Sequence, residues 1–296
     1  MTRNPLLPGL ILLLAAWLPG APAQATPAGP GVEEPAGATV PLDHLAALRG
    51  GYFPLVAEAS GRTHHVYVRL PEGYDADPAR RWPVVYLLDG DTLFPLLAAT
   101  HLFLTYDEGL PDAIVVGIAY GGFDPSINKR NVDFTGLGAD TQPGEGGAAA
   151  FHHVLQHQLL PEVERRWRVD ATRRVLVGQS RGGWFVLWSA LQAPDLFWGR
   201  IASNPSLDPA REQLFASPAT HARDDLRLAV VSGARDTEAR LRNAAHWQAQ
   251  WRGRADAPWQ VERIVLPDGT HAASIGEAYR RAMLWLFRDG MAKEPH

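Results

Sequence analysis

A serine framed by glycines stands in "VLVGQSRGGW", residues 175–184. Apolar residues precede it and an apolar run, "WFVLWSAL", follows it. A strand passing into a helix through so tight a turn would lift the Ser180 hydroxyl off the strand end, where a nucleophile is useful. The N–H of Arg181, at the start of that helix, would have no helical acceptor and could donate to a developing oxyanion. A small residue in a structural bend would give the same string, so the surroundings must decide.

Two later strand ends carry partners for such a serine. In "VVSGARDTEARL" (230–241), Asp236 and Glu238 lie just past an apolar run, in a loop leading into a helix. One could orient a histidine while the other serves as a helix cap or first-turn acid. Asp236 is nearer the strand end and is the favoured acid, with Glu238 left as the alternative. In "IVLPDGTHAASIGEAY" (264–279), His271 falls in a Gly-containing loop between a strand and the last helix. Most of the eleven histidines are ordinary surface or core residues, but His271 comes last in the order Ser180, Asp236, His271. That chain order belongs to α/β-hydrolases, not to chymotrypsin-like or subtilisin-like enzymes. A fourth strand end, "YLLDGD" (86–91), lies where such folds put a second oxyanion-hole amide. Gly90 would allow close backbone approach and Asp91 would supply the N–H; a turn merely capped by Asp89 is the competing reading.

The elements needed to hold these residues can be read along the chain. "HHVYVRL" (64–70) alternates as a half-exposed strand does, while "WPVVYLLDG" (82–90) and "AIVVGIAY" (113–120) are continuous apolar runs suited to central strands. Runs at 174–178, 200–203, 227–233 and 261–267 continue the series. Helix-like stretches cover 93–105, 148–167, 182–191, 238–251 and 274–287, the second interrupted or kinked at Pro161. Strand and helix taking turns predict an α/β architecture: a mostly parallel central sheet with helices on both faces and function at the strands' carboxyl ends.

The bulk numbers narrow the class. With 46% apolar residues and ten tryptophans, the 296-residue chain can bury a large core. A net charge of −4 speaks against a nucleic-acid or anionic-membrane partner, and the absence of cysteine rules out disulfides and thiolate chemistry. The adjacent pairs His64-His65 and His152-His153 lack metal-ligand spacing, and no nucleotide loop is present, so neither metal nor cofactor is expected. The first 25 residues, with Arg3, an apolar run from Leu6 to Leu18 and a final Ala23-Gln24-Ala25, have the order of a signal peptide cleaved after Ala25. The expected layout is a signal peptide (1–25), a flexible Pro/Gly/Ala-rich leader (26–45), one catalytic domain (46–290) and a short tail (291–296). A periplasmic or secreted protein, free of the membrane after cleavage, is the matching expectation.

Successive blocks of the chain resemble the putative esterase family, which includes esterase D, feruloyl esterases and the mycolyltransferases. The blocks are "YVRLPEGYD", "WPVVYLLDGD", "IVVGIAY", "RNVDFT", "LLPEVERRWRVD", "GQSRGGWFVLWSAL", "IASNPSL" and "HAASIGEAYRRAMLWLF". They span about residues 50–288 and are most similar to the branch of siderophore esterases that act on enterobactin-like and bacillibactin-like trilactones. The resemblance implies an α/β-hydrolase fold without a large lid domain or a cofactor, and a small ester as substrate. It implies Ser180 as nucleophile, His271 as general base, and the amides of Asp91 and Arg181 as oxyanion hole. Gln179 and Arg181 stand where many relatives have His and a small or apolar residue, and Arg181 would put a cation near the acyl site. Some exported siderophore esterases work with Ser and His alone, while "GARD" is similar to the acid-bearing loop of feruloyl esterases. Arg130, in "KRNVDFT", matches a segment near the substrate in siderophore-cleaving relatives; the alternative is a structural arginine paired with Asp133 or a backbone carbonyl. Trp184 is expected to lie under the helix rather than against substrate.

Overall fold

The computed structural model describes residues 45–208 and 210–291. The expected signal peptide, the leader up to residue 44 and the tail beyond Met291 lie outside the described residues.

Among the described residues eight strands form one sheet: β1 (Gly50–Val56), β2 (Thr63–Arg69), β3 (Trp82–Leu87), β4 (Ile114–Ala119), β5 (Val169–Gln179), β6 (Gly199–Ser203), β7 (Leu226–Gly233) and β8 (Trp259–Leu266). Their spatial order is β1-β2-β4-β3-β5-β6-β7-β8. β2 runs antiparallel to both β1 and β4, and every pair from β4 through β8 is parallel. All six residues of β4 are buried, because a central parallel strand is covered on both faces and tolerates no polar alternation. The chain moves outward from β3 to β4 and then returns past β3 to β5. The strand order therefore reverses between β3 and β5, where a crevice opens at the carboxyl ends.

Helices α1 (Gly90–Glu108) and α7 (Ile275–Phe287) cover one face of the sheet. α7 shows why: Ile275, Ala278, Tyr279, Ala282, Met283 and Leu286 recur at helical spacing and are buried. The other face carries α3 (Ala148–Val154), α4 (Leu160–Arg166), α5 (Arg181–Gln192) and α6 (Glu238–Trp251). A π-helical stretch, Leu155–Leu159, links α3 to α4 immediately before Pro161. The expected interruption thus takes the form of a wider turn, which accommodates the missing proline N–H while the helix continues. Among the described residues the connection 120–147, between β4 and α3, holds only the single turn α2 (Arg130–Asp133). No lid domain is built there.

Among the described residues, His64, His101 and His152 are buried and held neutral. Burial is the main cause in each, lowering His64 and His152 to about 4 and His101 to about 3. His101 is the best satisfied, with Nδ1 2.8 Å from the Tyr279 hydroxyl and Nε2 3.2 Å from the Pro111 carbonyl. Below about pH 6.5 the unfolded chain binds protons that the folded chain refuses. Stability is therefore full above that pH and falls as pH drops towards the folded values, by about 3 kcal/mol per histidine at pH 4.5. Melting temperature measured from pH 7.5 to 4.5 is expected to decline steeply below 6.5. A flat profile down to pH 5 would contradict it.

Candidate active site

Ser180 occupies the one-residue turn between β5 and α5 at φ 57° and ψ −112°, a conformation L-residues rarely adopt. Such strain costs about 1–3 kcal/mol and survives only where neighbours impose it. They do so here: the Ser180 N–H donates to the Ser203 carbonyl at 2.9 Å, and its own carbonyl accepts from the N–H groups of Trp184 and Ser206 at 3.0 Å each. Gly178 is obligatory, since a Cβ there would lie 2.2 Å from the Gly182 carbonyl oxygen. The helix is thereby pressed against the strand it leaves, and the hydroxyl stands off the sheet edge.

Asp236 follows β7 and His271 follows β8, and the two loops are stitched together. Ala234 N–H donates to the Leu266 carbonyl (2.8 Å) and Arg235 N–H to that of Gly269 (2.9 Å). His271 Nδ1 lies 2.7 Å from Asp236 Oδ2, and His271 Nε2 lies 3.0 Å from Ser180 Oγ. The other Asp236 oxygen accepts from the Thr237 N–H at 2.7 Å and from Arg240 Nη1 at 3.2 Å. Burial pushes the Asp236 carboxyl up, but the bonds from His271 and Thr237 outweigh it and hold the group below its ordinary value. Glu238 is exposed, in the first turn of α6, and pairs with Arg242 at 2.9 Å. Of the two acids in that loop, Asp236 is the one His271 reaches.

Ser180 and His271 open into a cleft of about 310 Å³ whose walls include Asp91, Phe123, Gln179 and Arg130. Asp91 sits in the first turn of α1, and Arg181 in that of α5. Neither N–H has an acceptor among the described residues. Gly90 brings α1 hard against β4, where a Cβ would lie 2.6 Å from Ile118 N. Two helix N-termini thus converge at the switch point, an arrangement that favours a negative charge between them.

Residues 57–274 match the family model described as "Putative esterase". The chain belongs to the putative esterase family. This esterase-family chain is similar to the ferri-bacillibactin esterase BesA of Bacillus subtilis, 33% identical over 159 residues, or 49% of this chain and 54% of that protein. It is similar also to the apo-salmochelin esterase of Escherichia coli O6:H1, 29% identical over 165 residues, or 52% and 50% of the two chains. The matched stretch spans about half the length of these curated relatives. The crystal structure of the BES protein from Bacillus cereus superposes with a TM-score of 0.70 at 18% identity, covering 80% of this chain and 94% of that one. That likeness, with the strand order, shows the α/β-hydrolase fold.

Within this member of the family, several side chains do other work than the sequence implied. Arg181 does not put a free cation beside Ser180: its guanidinium pairs with Glu145 Oε1 at 2.6 Å and is not part of the cleft wall. Asp91 has a second role, its carboxylate accepting from the N–H groups of Tyr120 (2.8 Å), Gly121 (2.8 Å) and Gly122 (3.1 Å). Arg130 is not paired with Asp133, which is taken by Arg62 at 2.7 Å and the Tyr120 hydroxyl at 3.0 Å. It makes a two-pronged bond to Asp89 instead (Nε to Oδ1 2.7 Å, Nη2 to Oδ2 3.1 Å) and reaches the Gln179 carbonyl at 3.4 Å. Asp89 therefore begins α1 without its side chain capping the helix. Trp184 is fully buried, stacked on Trp188.

Sequence reasoning missed two braces. The Gln179 amide donates to the His271 carbonyl, tying the nucleophile turn to the histidine loop. Asn204, at φ 41° after β6, accepts from the Gly233 N–H at 2.7 Å while its own N–H donates to Val231. An asparagine before a proline at a strand end, "SNPS", is the signal that could have found the second, because Asn tolerates left-handed backbone.

Proposed function

We propose that the protein is an exported serine carboxylic-ester hydrolase that works through an acyl-enzyme and opens trilactone siderophores. The hydrogen-bonded line from Ser180 through His271 to Asp236 carries the reading. His271 Nε2 takes the Ser180 proton as Oγ attacks the ester carbonyl. The amides of Asp91 and Arg181 stabilise the tetrahedral oxyanion, and His271 returns the proton to the leaving alcohol. Water then repeats the sequence on the acyl-enzyme. Asp236 holds the Nδ1–H tautomer and stabilises the imidazolium without taking the proton.

Similarity to two siderophore esterases supports the substrate class. So does Phe123, 73% exposed at the cleft, which offers an apolar surface to an aromatic substrate arm. Export rests on the signal-like first 25 residues; N-terminal sequencing of the mature protein should begin at Thr26. The substrate test is a panel of enterobactin, ferric enterobactin, methyl ferulate, acetylated xylan and short nitrophenyl esters. The trilactone is expected to be opened at least about tenfold more efficiently than the others, roughly 1.4 kcal/mol of extra transition-state stabilisation. Equal, slow cleavage of all would make it a generic esterase. Acyl transfer to an added sugar in preference to water would make it an acyltransferase.

A further inference from the structure

Asp89 is placed to harm the oxyanion hole. It is the N-cap of α1, and an N-cap aspartate normally accepts from the N–H of the second or third helical residue. Here those residues are Asp91 and Thr92. The Thr92 N–H already donates to the Asp89 carbonyl at 3.0 Å, so the N–H left for a capping carboxylate is that of Asp91. A capped Asp91 amide could no longer donate to substrate, and an anion at that point would repel the developing oxyanion.

Yet the Asp89 side chain caps nothing: its backbone is left-handed (φ 54°, ψ 44°), and both of its oxygens are held by Arg130. The arginine is itself anchored. Its N–H donates to Asn128 Oδ1 at 3.1 Å, and Asn128 Nδ2 donates to the Gly122 carbonyl at 3.0 Å. The Gly122 N–H in turn donates to the carboxylate of Asp91. Hydrogen bonds and chain thus close a ring: Asp89, Arg130, Asn128, Gly122, Asp91. The contact from Arg130 to the Gln179 carbonyl ties this ring to the turn that carries Ser180 and Arg181.

We infer that Arg130 is a positioning residue which, by gripping the Asp89 carboxylate, keeps the Asp91 N–H open and the nearby negative charge neutralised. The inference rests on the serine-hydrolase reading above, and it gives Arg130, which also lines the cleft, a role besides the expected contact with substrate.

The test uses an uncharged short nitrophenyl ester, which offers a substrate-binding cation nothing to grip. Arg130→Met is expected to lower kcat about 10²-fold, the usual loss for one oxyanion donor, with KM within about threefold. Adding Asp89→Gly, which suits the left-handed turn and removes the carboxylate, should restore at least about tenfold of that loss. Should Arg130→Met fail to fold, Arg130→Lys carries the test: the charge stays, the fork is lost, and kcat falls at unchanged KM. A rise in KM with steady kcat, or a double variant no better than Arg130→Met, overturns the inference. Stoichiometric labelling of Ser180 by a fluorophosphonate keeps the two readings apart. If wild-type protein is not labelled and Ser180→Ala still turns over, the serine-hydrolase reading fails. If labelling occurs and Arg130→Met is fully active, only the role of Arg130 fails.

Discussion

Ser180→Ala is expected to lower turnover on a short aryl ester by about 10⁴-fold or more, leaving only the rate that binding and an oxyanion hole supply without a nucleophile. The substitution removes one oxygen whose hydrogen bond goes to His271, while the backbone bonds of Ser180 to Ser203, Trp184 and Ser206 are untouched. The fold should persist, so the loss is chemical. Ser180→Gly sharpens the point. Glycine relieves the positive φ that costs serine about 1–3 kcal/mol, partly offset by the greater freedom of an unfolded glycine. The glycine variant should be as inactive as the alanine variant yet melt higher by a few degrees. Inactivity with a raised melting temperature is what a strained nucleophile predicts; retained turnover in either variant would assign the chemistry to another residue.

The parts of the fold that were readable were those with a periodic or continuous apolar signal. β3, β4 and β7 are buried on both faces and stand out as unbroken runs, and α7 as a one-sided stripe. β1 is not legible because "GGYFPLV" contains two glycines and a proline; among the described residues it is an edge strand paired with β2 alone, where a proline is tolerated. The first half of β5, "VDATR", is too polar to announce itself. At the site, Ser180, Asp236 and His271 could be located because each follows a legible strand. The partners of Arg181 and Arg130 could not. Glu145 is 36 residues from Arg181 and Asp89 is 41 from Arg130, both joined through the 120–147 connection, which has no period to follow. The sequence suggests the Asp91 N–H as a donor, but nothing local reveals that its carboxylate folds back onto three N–H groups after β4.

Asp236→Asn is the other change with a large expected effect, and the local hydrogen bonding says why. Oδ1 of Asp236 accepts from two donors, the Thr237 N–H and Arg240, while Oδ2 faces His271 Nδ1. An asparagine has one acceptor oxygen, and two donors compete to claim it. Its amide NH₂ is then turned toward His271, so Nδ1 must accept and the ring proton moves to Nε2, the nitrogen that faces Ser180. An imidazole in that tautomer cannot take the serine proton. Turnover should fall about 10³-fold or more although the side-chain shape is unchanged, in line with the known cost of a wrong tautomer in such triads. If serine and histidine suffice without the acid, the loss would stay under about tenfold. Arg240→Ala in the asparagine background separates the accounts, because with one donor gone the amide can turn its oxygen to Nδ1. A partial recovery of kcat in that double variant, with none in the single Arg240→Ala variant relative to wild type, would tie the defect to the tautomer. Failure to recover alongside a 10³-fold loss would point instead to the missing negative charge that stabilises the imidazolium. The carboxylate also leaves a mark on stability: held below its ordinary value, Asp236 stabilises the fold above about pH 4 and loses that contribution as pH falls through its folded value. The asparagine variant should therefore show a shallower decline in melting temperature below pH 4 than the wild type.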